Sequence, residues 1–180
     1  MNQRGPFRIV SSKIVYKNPW ITVHEDQVVR PGNKEGIFGW IEKLSGSSVL
    51  PIDDSGKVLL AREFKYGVNR ESIEAISGGC DAGELPLRTA QRELEEEAGL
   101  LADEWVDLGV VDPFTTIVSS PNHMFIAKKL RKGTPKHDLG EAITVVKMSL
   151  KEARDMVLTG KITHAATCVL VLKAARLEEM

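Results

Sequence analysis

Between residues 13 and 76 apolar and polar positions alternate in short runs. Lys13–Tyr16, Trp20–Val29, Gly36–Leu44, Ser48–Ile52, Val58–Tyr66 and Ser72–Ile76 read as β-strands. Polar turns separate them, among them Lys17-Asn18-Pro19, Arg30-Pro31-Gly32-Asn33 and Asp53-Asp54-Ser55-Gly56. The period then changes. Leu87, Ala90, Leu94 and Ala98 recur at helical spacing and predict a packed helix from Glu84 to Ala98. Strands return at Trp105–Val111, Asn122–Lys129 and Ala142–Met148. Ser149-Leu150-Lys151-Glu152 has the form of a capping box opening a helix to Leu158, which Gly160 stops. A last helix runs from about Thr163 to Glu178. Strands first, a central helix and late helices fit an α+β class with layered α/β/α packing.

The central helix carries the chemistry. Glu93, Glu96 and Glu97 stand at i, i+3 and i+4, within roughly 100° of one another around a helix. Like charges that close repel unless something positive lies between them. Hard divalent cations prefer oxygen ligands, so the cluster predicts a magnesium or manganese site. Arg92 lies where it can pair with a carboxylate and orient it. A run such as Glu95-Glu96-Glu97 is, taken alone, usually a solvated face.

Composition narrows the rest. The chain of 180 residues is 42% apolar and 27% charged, enough for a real core. A net charge of −1 gives no general attraction to nucleic acid or membrane surfaces. The aliphatic run Val169–Leu172 is too short to span a bilayer, and the first residues lead into no apolar signal region, so a cytoplasmic location is expected. Cys80 and Cys168 lack metal-ligand spacing and read as free thiols. His24, His123, His137 and His164 show no ligand spacing either.

The pattern around the helix is more specific than any part of it. Gly78, five residues, Glu84, seven residues, Arg92-Glu93-Leu94, one residue, Glu96-Glu97, one residue, Gly99-Leu100 resembles the Nudix hydrolase signature at every fixed position. The resemblance implies the Nudix fold, a sandwich with a mixed sheet, and an additional N-terminal antiparallel sheet. It implies a Mg2+ site, with Mn2+ as substitute, formed by Glu93, Glu96, Glu97 and the Ser77 carbonyl. It places a general base at Glu141, with Glu93 or Glu97 as alternatives, and gives Glu84 a supporting role.

The flanks resemble the ADP-ribose pyrophosphatase branch. Leu59-Leu60-Ala61-Arg62-Glu63-Phe64-Lys65-Tyr66 is similar to its strand of arginine, glutamine, aromatic and basic residues, with Glu63 and Lys65 as departures. Glu71-Ser72-Ile73-Glu74, Pro113 and the run from Asn18 to Val23 also match, while Ile76-Ser77 and Thr115 depart from the branch pattern. By this resemblance residues 1–45 form a β region for dimerisation and 46–180 the hydrolase domain of a homodimer. Arg62 is a candidate to grip a diphosphate through paired hydrogen bonds, and Arg30 a candidate from the N-terminal part. Trp20, Phe38 and Trp40 could stack a base, although aromatics at strand positions are more often core. The expected reaction is cleavage of ADP-ribose to AMP and ribose 5-phosphate. GDP-mannose, other nucleotide sugars or dinucleoside polyphosphates remain open, as does a non-catalytic nucleotide sensor, a class that usually has eroded motif glutamates.

Overall fold

The computed structural model describes residues 3–134 and 143–178. In chain order the elements are β1 (Gln3–Arg4), β2 (Phe7–Lys17), β3 (Ile21–Arg30), β4 (Lys34–Lys43), β5 (Gly46–Pro51), β6 (Lys57–Lys65), a short 3-10 turn at Tyr66–Val68, β7 (Arg70–Glu74), β8 (Ile76–Gly79), α1 (Pro86–Ala98), β9 (Leu100–Val111), β10 (Val118–Ser119), β11 (Asn122–Lys132), β12 (Thr144–Ser149), α2 (Leu150–Leu158) and α3 (Ala165–Glu178). They form two compact units. Unit 1 is Met1–Leu44 with Asp112–Pro121; unit 2 is Ser45–Val111 with Asn122–Met180.

Unit 1 is one sheet in the order β1-β2-β3-β4-β10, antiparallel except for the β10–β4 pair. The β3–β4 hairpin turns at Gly32 and Asn33, both with positive φ (79° and 59°), which suits these two residue types. The segment 112–121 joins this sheet through β10. Val10, Ile14 and Tyr16 of β2 remain more than half exposed, at 60%, 56% and 54%.

Unit 2 is a layered sandwich. Its mixed four-stranded sheet has the order β8-β5-β11-β9, and a three-stranded antiparallel sheet has the order β12-β6-β7. Side chains alternate across each strand, and the alternation divides two cores. Val49 of β5, Ile76 of β8, and Phe125 and Ala127 of β11 pack with Ala90 and Leu94 of α1. Leu50, Met124 and Ile126 join Val58 and Leu60 of β6 in the other core, with Leu150 and Ala153 of α2 and Leu170, Val171 and Ala174 of α3. This is the α/β/α arrangement the element order implies. No helix among the described residues is long and apolar enough to cross a membrane. Cys80 and Cys168 are both free.

Two local signals behave as the sequence suggests. The Ser149 side chain accepts the Glu152 N–H at 3.1 Å and opens α2. Gly160, at φ 71°, follows the end of that helix. The run Ser72–Ile76 behaves differently. It breaks at Ala75 into β7 and β8, which belong to different sheets. The Ala75 N–H, buried at the break, donates instead to Thr167 Oγ of α3 at 2.8 Å. A contact from 92 residues away therefore ends the strand, and no local pattern records it.

Thr167→Val keeps the shape and removes that acceptor. An orphaned buried N–H costs about 1–3 kcal/mol. Urea unfolding should show a lower midpoint with an unchanged slope; an unchanged midpoint would mean that the hydroxyl does not hold the break.

Candidate active site

The loop from β8 into α1 sets the site. Pro86 fills the first helical position, where its missing N–H costs nothing and its φ is already suitable. The residue before a proline is driven to extended backbone, and Leu85 has φ −74° and ψ 139°. The helix thus starts two residues later than Glu84. Glu84 lies in the loop, where its carboxylate accepts from the Asp81 N–H at 3.1 Å and the Thr89 hydroxyl at 2.8 Å. Gly99, at φ 63°, closes α1, donating its N–H to the Glu95 carbonyl at 2.9 Å. Leu87, expected in the buried stripe, is partly exposed beside a cavity of about 420 Å³ lined with Leu85, Pro86, His123 and Phe125. Thr89, Ala90 and Leu94 are the buried positions.

Arg92 binds the acidic groups together. Its Nε and Nη2 donate to the two oxygens of Glu84 at 3.2 and 3.1 Å. Its Nη1 donates to Glu93 Oε1 at 2.7 Å and Glu96 Oε2 at 2.9 Å, and Nη2 also reaches the Gly79 carbonyl at 3.1 Å. Hydrogen bonding from Arg92 is the main reason the Glu84 carboxyl is held down to about 2. The hydrogen bonds to Glu84, and then the charge of Glu93, push the guanidinium well above its already high range. The repulsion that the sequence assigned to a missing cation is thus answered in part by a side chain. Among the described residues, no three His, Cys, Asp or Glu side chains are already grouped as a metal cage.

Gly78 makes room for Glu93. A Cβ at this glycine would fall 1.9 Å from Glu93 Oε1 and 2.1 Å from its Cδ, so any larger residue would displace that carboxylate. The carboxylate therefore lies against the β8 backbone, one residue after Ser77. Ser77 is in β8, paired with Ser48 of β5. Glu97, one turn beyond Glu93, acts electrostatically on Lys65 of β6. Burial pulls the Lys65 ammonium down. Its bond to Glu63 and the charges of Glu74, Glu63 and Glu97 outweigh that and leave it raised.

Arg62 shares a β6 face with buried Leu60 and lines a cavity of about 590 Å³ with Met148, Ser149, Glu152 and Asp155. No hydrogen bond or ion pair joins it to the α1 carboxylates among the described residues. Arg30 is in unit 1, its guanidinium folded across Gly36, whose Cβ position is 3.0 Å from Arg30 Nε. Glu141 lies outside the described residues. Phe38 and Trp40 line a cavity of about 320 Å³ in unit 1, where Trp40 donates to buried Asp26 at 3.0 Å and stacks on His24; Trp20 is exposed. The sequence reading passed over Lys65, Glu63 and Thr89 as site residues. The basic and acidic departures at positions 65 and 63 were the available signal for the first two.

Comparison with known proteins agrees with this architecture. Residues 7–41 match the nucleoside diphosphate sugar hydrolase N-terminal domain. The chain is 29% identical over 169 residues to an ADP-ribose pyrophosphatase of Mycobacterium tuberculosis, covering 92% of this chain and 82% of the relative. It is 24% identical over 172 residues to an ADP-ribose pyrophosphatase of Bacillus subtilis, covering 91% and 90%. A crystal structure of an ADP compounds hydrolase superposes with a TM-score of 0.85 at 18% identity, covering 99% of this chain and 97% of that one, a likeness of fold. Residues 43–167, well over half of the 180, match the NUDIX domain, and the chain belongs to the Nudix hydrolase family.

Proposed function

We propose that the protein hydrolyses the pyrophosphate bond of a nucleoside diphosphate joined to a sugar, with ADP-ribose the first candidate. Water adds to one phosphorus, the bond to the bridging oxygen breaks, and AMP and ribose 5-phosphate leave. The observation that carries the reading is the Arg92 clamp, which fixes Glu93 and Glu96 on one side of α1 beside the Gly78 cradle. The names of the relatives support the choice of ADP-ribose.

The donors suit a hard cation. They are carboxylates on a packed helix, with backbone brought close because Gly78 has no side chain. Glu93, Glu96, Glu97 and the Ser77 carbonyl would hold Mg2+, or Mn2+ in its place. When bound, such an ion neutralises the phosphate oxygens and acidifies a water. Arg92 is a positioning residue, since every group it touches is a protein oxygen. Glu97, Glu93 or Glu141 takes the proton of the attacking water. Arg62 is the candidate to grip the diphosphate through paired hydrogen bonds, with Lys65, on which Glu97 acts electrostatically, a second cation of this unit.

Incubation with ADP-ribose, GDP-mannose, other nucleotide sugars and dinucleoside polyphosphates, with Mg2+ or with a chelator, tests the reading. AMP and ribose 5-phosphate should form from ADP-ribose with Mg2+ and disappear with chelation. Tight ADP-ribose binding without turnover in Mg2+ or Mn2+ would overturn the reading in favour of a sensor.

The clamp makes a pH prediction. Glu84 is lowered from 4.5 to about 2, so its contribution to stability is full above 4.5 and is lost as pH falls through about 2. The stability gap between wild type and Glu84→Gln, read by urea unfolding, should be constant above 4.5 and close below it. An equal gap at both ends would show that the Arg92–Glu84 pair does not carry the effect.

A further inference from the structure

Ser47 is the second residue of β5, an interior strand of the sheet whose one face packs against α1. It is completely buried, and its hydroxyl has no hydrogen-bond partner among the described residues. A serine hydroxyl left so in a core costs free energy, which asks for a reason. Two observations locate it. Its register partner on one side is Gly78 of β8 and on the other His123 of β11. It also shares a face with Val49, two residues on, which packs against α1.

The space a Gly78 side chain would take is filled by the Glu93 carboxylate. Directly paired residues on adjacent strands have Cβ positions about 4.5–5.5 Å apart. The Ser47 side chain is therefore the nearest neighbour, across the strand pair, of the place where that carboxylate lies. The hydroxyl makes no hydrogen bond to the carboxylate in the present conformation, but a serine hydroxyl donates to a carboxylate oxygen that moves within reach. Arg92 holds Glu93 from the helix side through Oε1. A donor from the sheet side would fix the carboxylate plane from below.

We propose that Ser47 is a positioning residue for Glu93, its hydroxyl donating to the carboxylate when Glu93 turns to bind the divalent cation. The inference rests on the reading of Glu93 as a metal ligand. Groups that orient metal ligands typically change metal affinity about 10- to 100-fold when removed. A hydroxyl kept only for packing would not do so; because this one is unbonded in the present conformation, a purely positioning role leaves the core as stable as before or more stable when it is removed.

Calorimetric titration of the full chain with Mn2+ alone, together with thermal unfolding without metal, tests this on Ser47→Ala, Ser47→Cys and Glu93→Gln. Ser47→Ala should melt at or above the wild-type temperature yet bind Mn2+ about tenfold more weakly. Ser47→Cys, nearly the same size with a weak S–H donor, should fall between the two. Wild-type affinity in Ser47→Ala overturns the proposal. So does weaker binding accompanied by a lower melting temperature, which would mark a packing role. Glu93→Gln separates the two claims. If it loses Mn2+ binding while Ser47→Ala keeps it, the Ser47 proposal alone fails. If it binds like wild type, the metal reading fails and Ser47 falls with it.

Discussion

The acidic site depends on one guanidinium. Arg92 stands among Glu84, Glu93 and Glu96, with five hydrogen bonds to those carboxylates and to the Gly79 carbonyl. The planar fork of an arginine can serve several acceptors at once with fixed directions; a lysine ammonium is a single point charge and cannot. The clamp also spans three pieces of backbone, the end of β8, the loop carrying Glu84 and the C-terminal half of α1. It therefore fixes how the helix leaves the sheet as well as where the charges lie.

The clamp needs a rigid base, and the sheet provides it. Alternation along β5 and β11 sends Val49, Phe125 and Ala127 to α1 and Leu50, Met124 and Ile126 to α2 and α3. One sheet is thus buried on both faces, and Ala90 and Leu94 anchor α1 against it. Gly78 completes the fit, because any larger residue would meet the Glu93 carboxylate. Packing, the glycine and the arginine act on the same side chain from three directions.

Much of this was legible in the sequence because the determinants are local. The glycine–glutamate–arginine spacing, the Ser149 cap and most strand positions depend on residues a few places apart. What the sequence hid depends on contacts between distant segments. The break at Ala75 needs Thr167, and the entry of residues 112–121 into unit 1 needs β4. Arg62, singled out for a diphosphate, shares its β6 face with Leu60 and lines a cavity with Met148 and Glu152, while Lys65 is the basic group on which Glu97 acts electrostatically. Glu84 was expected inside the helix, and the Pro86 backbone constraint moved it into the loop, where it can accept from Asp81, Thr89 and Arg92 together.

The carboxylates gathered on α1 beside Gly78 are proposed as the seat of a divalent cation, which anomalous scattering from a crystal of the protein grown with Mn2+ would test most directly. An anomalous peak is expected against the Glu93, Glu96 and Glu97 carboxylates, next to the backbone at Ser77 and Gly78. A peak only at another place, or none at saturating Mn2+, would contradict it.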